Sequence, residues 1–184
     1  MIVELTRDMS PDMPLVGGVT QVEALRIWHC GYRSLSSVSS YINLRTLLVA
    51  TYPDADLDAV AALEQLEYLS LLHIPLVSDL RPLARLRRLR TLRLATLPSW
   101  DSGGKVTTVV SLRPLADLPR LEHLELFGVR PADESLGELE AAPNLATVRV
   151  SKYPEAEVRR FYAATGTRDD WAPAPDVIGD HGPW

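Results

Sequence analysis

The stretch Leu66-Glu-Tyr-Leu69-Ser-Leu71, followed by Leu89-Arg-Thr-Leu92-Arg-Leu94, decides the fold. The same apolar signature stands upstream as Val22-Glu-Ala-Leu25-Arg-Ile27 and Leu44-Arg-Thr-Leu47-Leu-Val49. Downstream it returns as Leu121-Glu-His-Leu124-Glu-Leu126 and Leu145-Ala-Thr-Val148-Arg-Val150. The steps between first residues are 22, 22, 23, 32 and 24. Self-similarity at a period in the twenties means stacked coils, because no single unit buries its apolar side without neighbours. Within each copy, positions 4 and 6 point to one side of an extended strand and positions 3, 5 and 7 to the other. Position 1 joins the buried side just ahead of the strand.

Between the strands the chain carries a second apolar code. Ser78-Asp79-Leu80-Arg81-Pro82-Leu83-Ala84-Arg85-Leu86 parallels Ser111-Leu112-Arg113-Pro114-Leu115-Ala116-Asp117-Leu118, and Leu57, Val60 and Leu63 hold equivalent places one coil earlier. These runs are too short for full helices, and proline suits a first helical position or a tight turn. The expected architecture is an α/β solenoid with a parallel β-sheet on the concave side and one short helical or 3₁₀ turn per coil on the convex side. Over residues 22–166 the pattern resembles the leucine-rich repeat family, in its bacterial, internalin-like subclass with a 22-residue repeat and a D-L-x-P-L-x-x-L return segment. The resemblance implies a module that binds proteins. It departs from the family at the ninth position of each coil, where Asn or Cys is usual; here stand Cys30, Tyr52, Ile74, Leu97, Val129 and Tyr153. A buried Asn ladder is therefore missing. The turns must satisfy their backbone otherwise, since each buried unpaired group costs about 1–3 kcal/mol.

At 184 residues, 46% apolar and 23% charged, the chain is sized for one domain with a substantial core. A net charge of −5 speaks against a general binder of nucleic acid or anionic membrane. A single cysteine, Cys30, excludes an internal disulfide and suits a reducing compartment. The opening MIVELTRDMSPDM lacks the features of a secretory signal, and no run approaches the ~18 apolar residues of a membrane span. The expectation is a cytoplasmic protein, a monomer or part of a small complex.

Residues 1–21 read as an N-terminal cap, with a possible strand from Ile2 to Leu5 and a connection through Pro11, Pro14, Gly17 and Gly18. Residues 22–153 form the domain of six repeats. Residues 154–166 read as a capping helix, with Val158, Phe161 and Tyr162 on one side and Gly166 as its stop. Residues 167–184 form an irregular tail with Trp171 and Trp184, which either lies across the last coil through Trp171 or hangs loose.

The strand side of a solenoid is its usual recognition surface. Position 7 along the stack holds Trp28, Ala50, Leu72, Ala95, Phe127 and Ser151; position 5 holds Arg26, Leu48, Ser70, Arg93, Glu125 and Arg149; position 3 adds Tyr68 and His123. Aromatic and arginine side chains dominate interface hot spots, and large apolar groups on an open face cost solvation. The expected protein-binding residues are Arg26, Trp28, Tyr68, Leu72, Arg93, His123, Glu125, Phe127 and Arg149, joined by Trp100 from an edge loop. The bland alternative is that they cover one another and finish the sheet. Position 2 alternates in sign: Glu23, Arg45, Glu67, Arg90, Glu122. At a strand spacing of about 4.8 Å these form neighbouring ion pairs worth about 0.2–1 kcal/mol each, so their expected role is to fix which coil sits beside which.

The step of 32 residues marks an insertion within 98–108, made flexible or sharply turned by Gly103 and Gly104. Trp100 on it is tucked against the coil flank or, as function on loops favours, offered to a partner. Gly103-Gly104-Lys105 is no phosphate loop, since Ser99 and Val106 stand where Gly and Ser or Thr are needed. His29 and His73 lie two coils apart, about 10 Å, too far to share an ion bound at about 2.0–2.1 Å. Adjacent His29 and Cys30 face opposite ways and make no nucleophile and base. Asp169-Asp170 reads as a solvated acidic patch. Six basic residues (Arg26, Arg45, Arg90, Arg93, Arg149, Lys152) against four acidic ones (Glu23, Glu67, Glu122, Glu125) leave the face nearly balanced, and interleaved Glu repels phosphate. No enzyme, metal or cofactor constellation is expected. The leading reading is a non-catalytic module that binds another protein through its concave face and the 98–108 loop. An immunity or inhibitor protein that neutralises a toxin or enzyme is the sharper alternative, and nucleic-acid binding the disfavoured one.

Overall fold

The structure is a computed structural model and describes residues 1–175. The six apolar signatures become β2 (Ala24–Trp28), β3 (Thr46–Ala50), β4 (Tyr68–Leu72), β5 (Thr91–Ala95), β7 (His123–Phe127) and β9 (Thr147–Ser151), and three further strands lie outside them, β1 (Ile2–Thr6), β6 (Thr107–Val109) and β8 (Val129–Pro131). Seven of them form one parallel sheet in the order β1-β2-β3-β4-β5-β7-β9, while β6 and β8 pair separately. Register follows the repeat, so Leu25, Leu47, Leu69, Leu92, Leu124 and Val148 stand side by side across the sheet. All six are fully buried. At about 1.5–3 kcal/mol per buried aliphatic side chain, this row and its position-6 companions hold the stack together.

The backbone fixes the register as well. Each position-2 carbonyl accepts two N–H groups from the next coil: Glu23 O from Arg45 and Thr46, Arg45 O from Glu67 and Tyr68, Glu67 O from Arg90 and Thr91. The pattern continues from Arg90 to Glu122 and His123, and from Glu122 to Ala146 and Thr147. The charged side chains at the same position resolve into pairs: Arg45 with Glu67 at 3.5 Å, Arg90 with Glu122 at 2.8 Å, and Glu23 with the amino terminus at 3.6 Å.

The turns manage without Asn. Position 8 takes the left-handed conformation at His29, Thr51, His73, Gly128 and Lys152, and the equivalent Arg7 after β1 does the same. That kink lets the ladder run into the bend. Thr51 N–H donates to Leu72 O, Tyr52 N–H to His73 O and His73 N–H to Ala95 O. The phenols at position 9 serve too: Tyr52 donates to Asp56 O at 2.9 Å and Tyr153 to Val129 O at 3.1 Å. Cys30 is half-buried, with its thiol 3.3 Å from Leu5 O.

On the convex side the return segments form single turns: 3₁₀ at Ser36–Ser40, Arg81–Arg85 and Gly137–Ala141, α-helical at α1 (Asp58–Ala61) and α3 (Arg113–Ala116). Ser34, Asp56, Asp79, Ser111 and Ser135 recur with the repeat, and each side chain accepts the N–H two residues on. Carboxylates from the following coil complete the capping. Asp54 accepts from Leu35 N–H, Glu138 from Leu112 and Arg113 N–H, and Glu157 from Leu136 N–H. This row escaped sequence reading because Ser and Asp differ in charge but not in the cap they make.

The insertion leaves the coil after Thr96, forms α2 (Pro98–Ser102), and returns as β6 beside β8. At the far end α4 (Glu155–Thr165) buries Phe161, and its Tyr162 hydroxyl donates to Val148 O at 2.6 Å. Gly166 ends it in the left-handed conformation, its N–H on Tyr162 O. Trp184 of the tail lies outside the described residues.

Candidate functional site

Register places position 5 of successive strands in one row across the concave face: Glu4, Arg26, Leu48, Ser70, Arg93, Glu125, Arg149. Opposite charges at neighbouring places pair along it. Glu4 lies 3.8 Å from Arg26, and Arg93 Nε meets Glu125 Oε2 at 2.5 Å. Leu48 and Ser70 between them are buried.

Three groups of the expected binding residues emerge. At the N-terminal end the Arg26 guanidinium sits 4.6 Å from the ring centroid of half-buried Trp28. In the centre Tyr68, Arg93 and Glu125 form a network. Tyr68 is only 7% exposed and Glu125 only 1%, so neither stands open as the alternation of a strand facing solvent led one to expect. Burial raises the Tyr68 phenol above its ordinary value, with the neighbouring Arg93 opposing the shift. At the C-terminal end Phe127 and Arg149 meet Trp171. Leu72 stands half-buried on β4.

His123 adjoins the central group, and Trp100 lies apart from all three. His123 Nδ1 is 2.8 Å from Thr147 Oγ1 and Nε2 is 3.9 Å from Glu122; burial lowers its pKa, with Glu122 opposing. Trp100 does not project from the insertion. Its ring meets His73 edge-on at 4.8 Å between centroids, under Lys105 at 5.7 Å, so the loop folds back on the coil flank.

The concave face has an occupant that sequence reading left open. After α4 the chain bridges to the sheet edge, where Val148 N–H donates to Arg168 O and Arg168 N–H to Ala146 O. It then turns over the face. Asp169 pairs with Arg149 at 3.1 Å and Asp170 with Arg168 at 2.8 Å, and both carboxylates stay about 60% exposed, solvated as the sequence suggested but each with an arginine. Trp171 lies 3.7 Å from the Arg149 guanidinium and 5.8 Å from the Phe127 ring. Ala172 N–H donates to Glu125 Oε1 at 2.8 Å. Pro173, Ala174 and Pro175 form one wall of a groove of about 530 Å³ whose floor holds Tyr68, Thr91 and His123. The only signal for this path in the sequence was a tryptophan among prolines.

Among the described residues no group of three His, Cys, Asp or Glu side chains is placed to hold a metal ion. None of the described helices is long and apolar enough to cross a membrane.

No family model matches the sequence, and no curated protein is similar to it. Solved structures do resemble it. Internalin C2 from Listeria monocytogenes aligns with a TM-score of 0.55 and 22% identity, over 82% of this chain and 71% of that one. The internalin InlF from the same strain aligns with a TM-score of 0.57 and 14% identity, over 87% of this chain and 50% of that one. This chain thus spans half the length of the second. At these identities the likeness is one of fold.

Proposed function

We propose, with a leucine-rich repeat solenoid as the premise, that this protein is a non-catalytic module that binds another protein through its concave face. The observation that carries the reading is the pair of arginine–aromatic sites on that face, Arg26–Trp28 and Arg149–Phe127, the second already holding an indole of the tail. They sit outside the leucine core, and side chains of these types supply most of the energy at protein interfaces. Arg26, Arg45, Arg90, Arg93 and Arg149 each already face a carboxylate, which favours a protein over a polyanionic partner. Leu72 and His123 extend the same surface, with the 98–108 loop and Trp100 as its rim. The unbridged Cys30 accords with a reducing, cytoplasmic setting.

The test is partner capture from the source cells, followed by affinity measurement on variants. Trp28→Ala and Leu72→Ala should weaken the captured complex at least tenfold, while Arg85→Ala on the convex return turn should leave it unchanged. Equal affinity for all three would place the interface elsewhere.

A further inference from the structure

The tail over the concave face shows what chemistry that face accepts. Glu125 is fully buried, and Arg93 fixes one of its oxygens at 2.5 Å. The other oxygen is aimed away from the sheet and takes a backbone N–H, that of Ala172, from a segment crossing the strands. A backbone contact of this kind is blind to side-chain identity. One residue earlier, Arg149 and Phe127 receive an indole, which is a contact that does select. Beyond Ala172, Pro173, Ala174 and Pro175 run along one side of the groove that Tyr68, Thr91 and His123 also line. Prolines have no N–H, so such a segment stays extended without asking the sheet for further acceptors.

The hold is slight. Trp171 remains 63% exposed and Asp169 61%, and among the described residues the Ala172 N–H on Glu125 is the backbone hydrogen bond from 169–175 to the face. Seven residues are ordered by these few contacts, so a competing segment has little to displace.

We infer that the concave face is a groove for an extended peptide segment carrying an aromatic residue two places ahead of a proline, and that residues 169–175 are its built-in occupant, which a partner segment of that chemistry replaces. The inference rests on the concave face being the protein-binding surface and names the kind of partner it takes.

The experiment uses the full chain and a fluorescein-labelled peptide of residues 167–175. The double variant Asp169→Ala/Trp171→Ala removes both side-chain anchors of the tail from exposed positions and leaves the groove intact. It should unfold at the same denaturant concentration as the parent and bind the peptide saturably, at least tenfold more tightly than the parent, in which the tail competes. The same peptide with alanine in place of its tryptophan should bind the variant at least tenfold more weakly. Equal binding of the peptide to parent and variant, or none to either up to millimolar peptide, overturns the inference. Trp28→Ala weakening a captured partner while this peptide fails would leave the protein-binding reading standing and remove only the peptide groove; the converse would remove only the capture surface.

Discussion

Gly128 occupies a bend where only glycine fits twice over. Its φ is +68°, and a Cβ there would lie 2.4 Å from Thr96 Oγ1. Other coils hold His, Thr or Lys at this place in the same left-handed conformation, so the close approach of Thr96 is the additional demand here. Gly128→Ala should cost about 1–3 kcal/mol in urea unfolding. Adding Thr96→Ala should recover the overlap part and leave the left-handed part. Arg93 is tied to the buried Glu125 carboxylate, so its replacement acts on stability as well as on the surface. Arg93→Ala strands Glu125 buried and unpaired, an expected loss of about 3–5 kcal/mol, whereas Arg93→Met/Glu125→Leu should cost far less because no buried charge remains. A double-mutant cycle by denaturant unfolding reads both; equal losses for the single and double variants would mean the pair is well solvated. Side-chain types along the face were legible in the sequence. Their burial was not, because alternation assigns a side of the sheet without saying what lies over it.

At the scale of the element, the return turns owe their form to borrowed caps. Glu138 accepts from the Leu112 N–H and the Ser111 hydroxyl of the preceding coil and shares the Arg113 N–H with Ser111 Oγ. Glu138→Ala should therefore destabilise by about 1–2 kcal/mol although its side chain is on the surface. An unchanged unfolding midpoint would show that water replaces it without loss. Glu157 does the same for Leu136, and the Arg160 guanidinium at 2.7 Å holds its carboxyl down to about 2 from an ordinary 4.5. A depressed pKa stabilises the folded state above the unfolded value, and that contribution is lost as pH falls from about 4.5 toward 2. Midpoints measured across this window should drop less steeply for Glu157→Gln than for the parent; parallel curves would contradict the coupling. The strands and the convex turns could be read from leucine spacing and proline placement. The caps could not, since they join side chains of one coil to the backbone of another.

For the whole molecule, stacking turns residues some twenty places apart into neighbours, and everything on the concave face depends on it. The repeat period carried that information, so the sheet order and the rows at positions 2, 5 and 7 were readable before any coordinates. What the period cannot carry is the path of non-repeating chain. Hence Trp100 lies on the coil flank and Trp171 crosses the face, each settled by contacts no other coil repeats. Amide hydrogen exchange along the full chain tests the stack most directly. Slow exchange is expected to recur over residues 24–28, 46–50, 68–72, 91–95, 123–127 and 147–151, with fast exchange over the insertion at 98–106. Strand segments exchanging at the rate of free peptide, or protection without that period, would contradict the stacked sheet and the surface built on it.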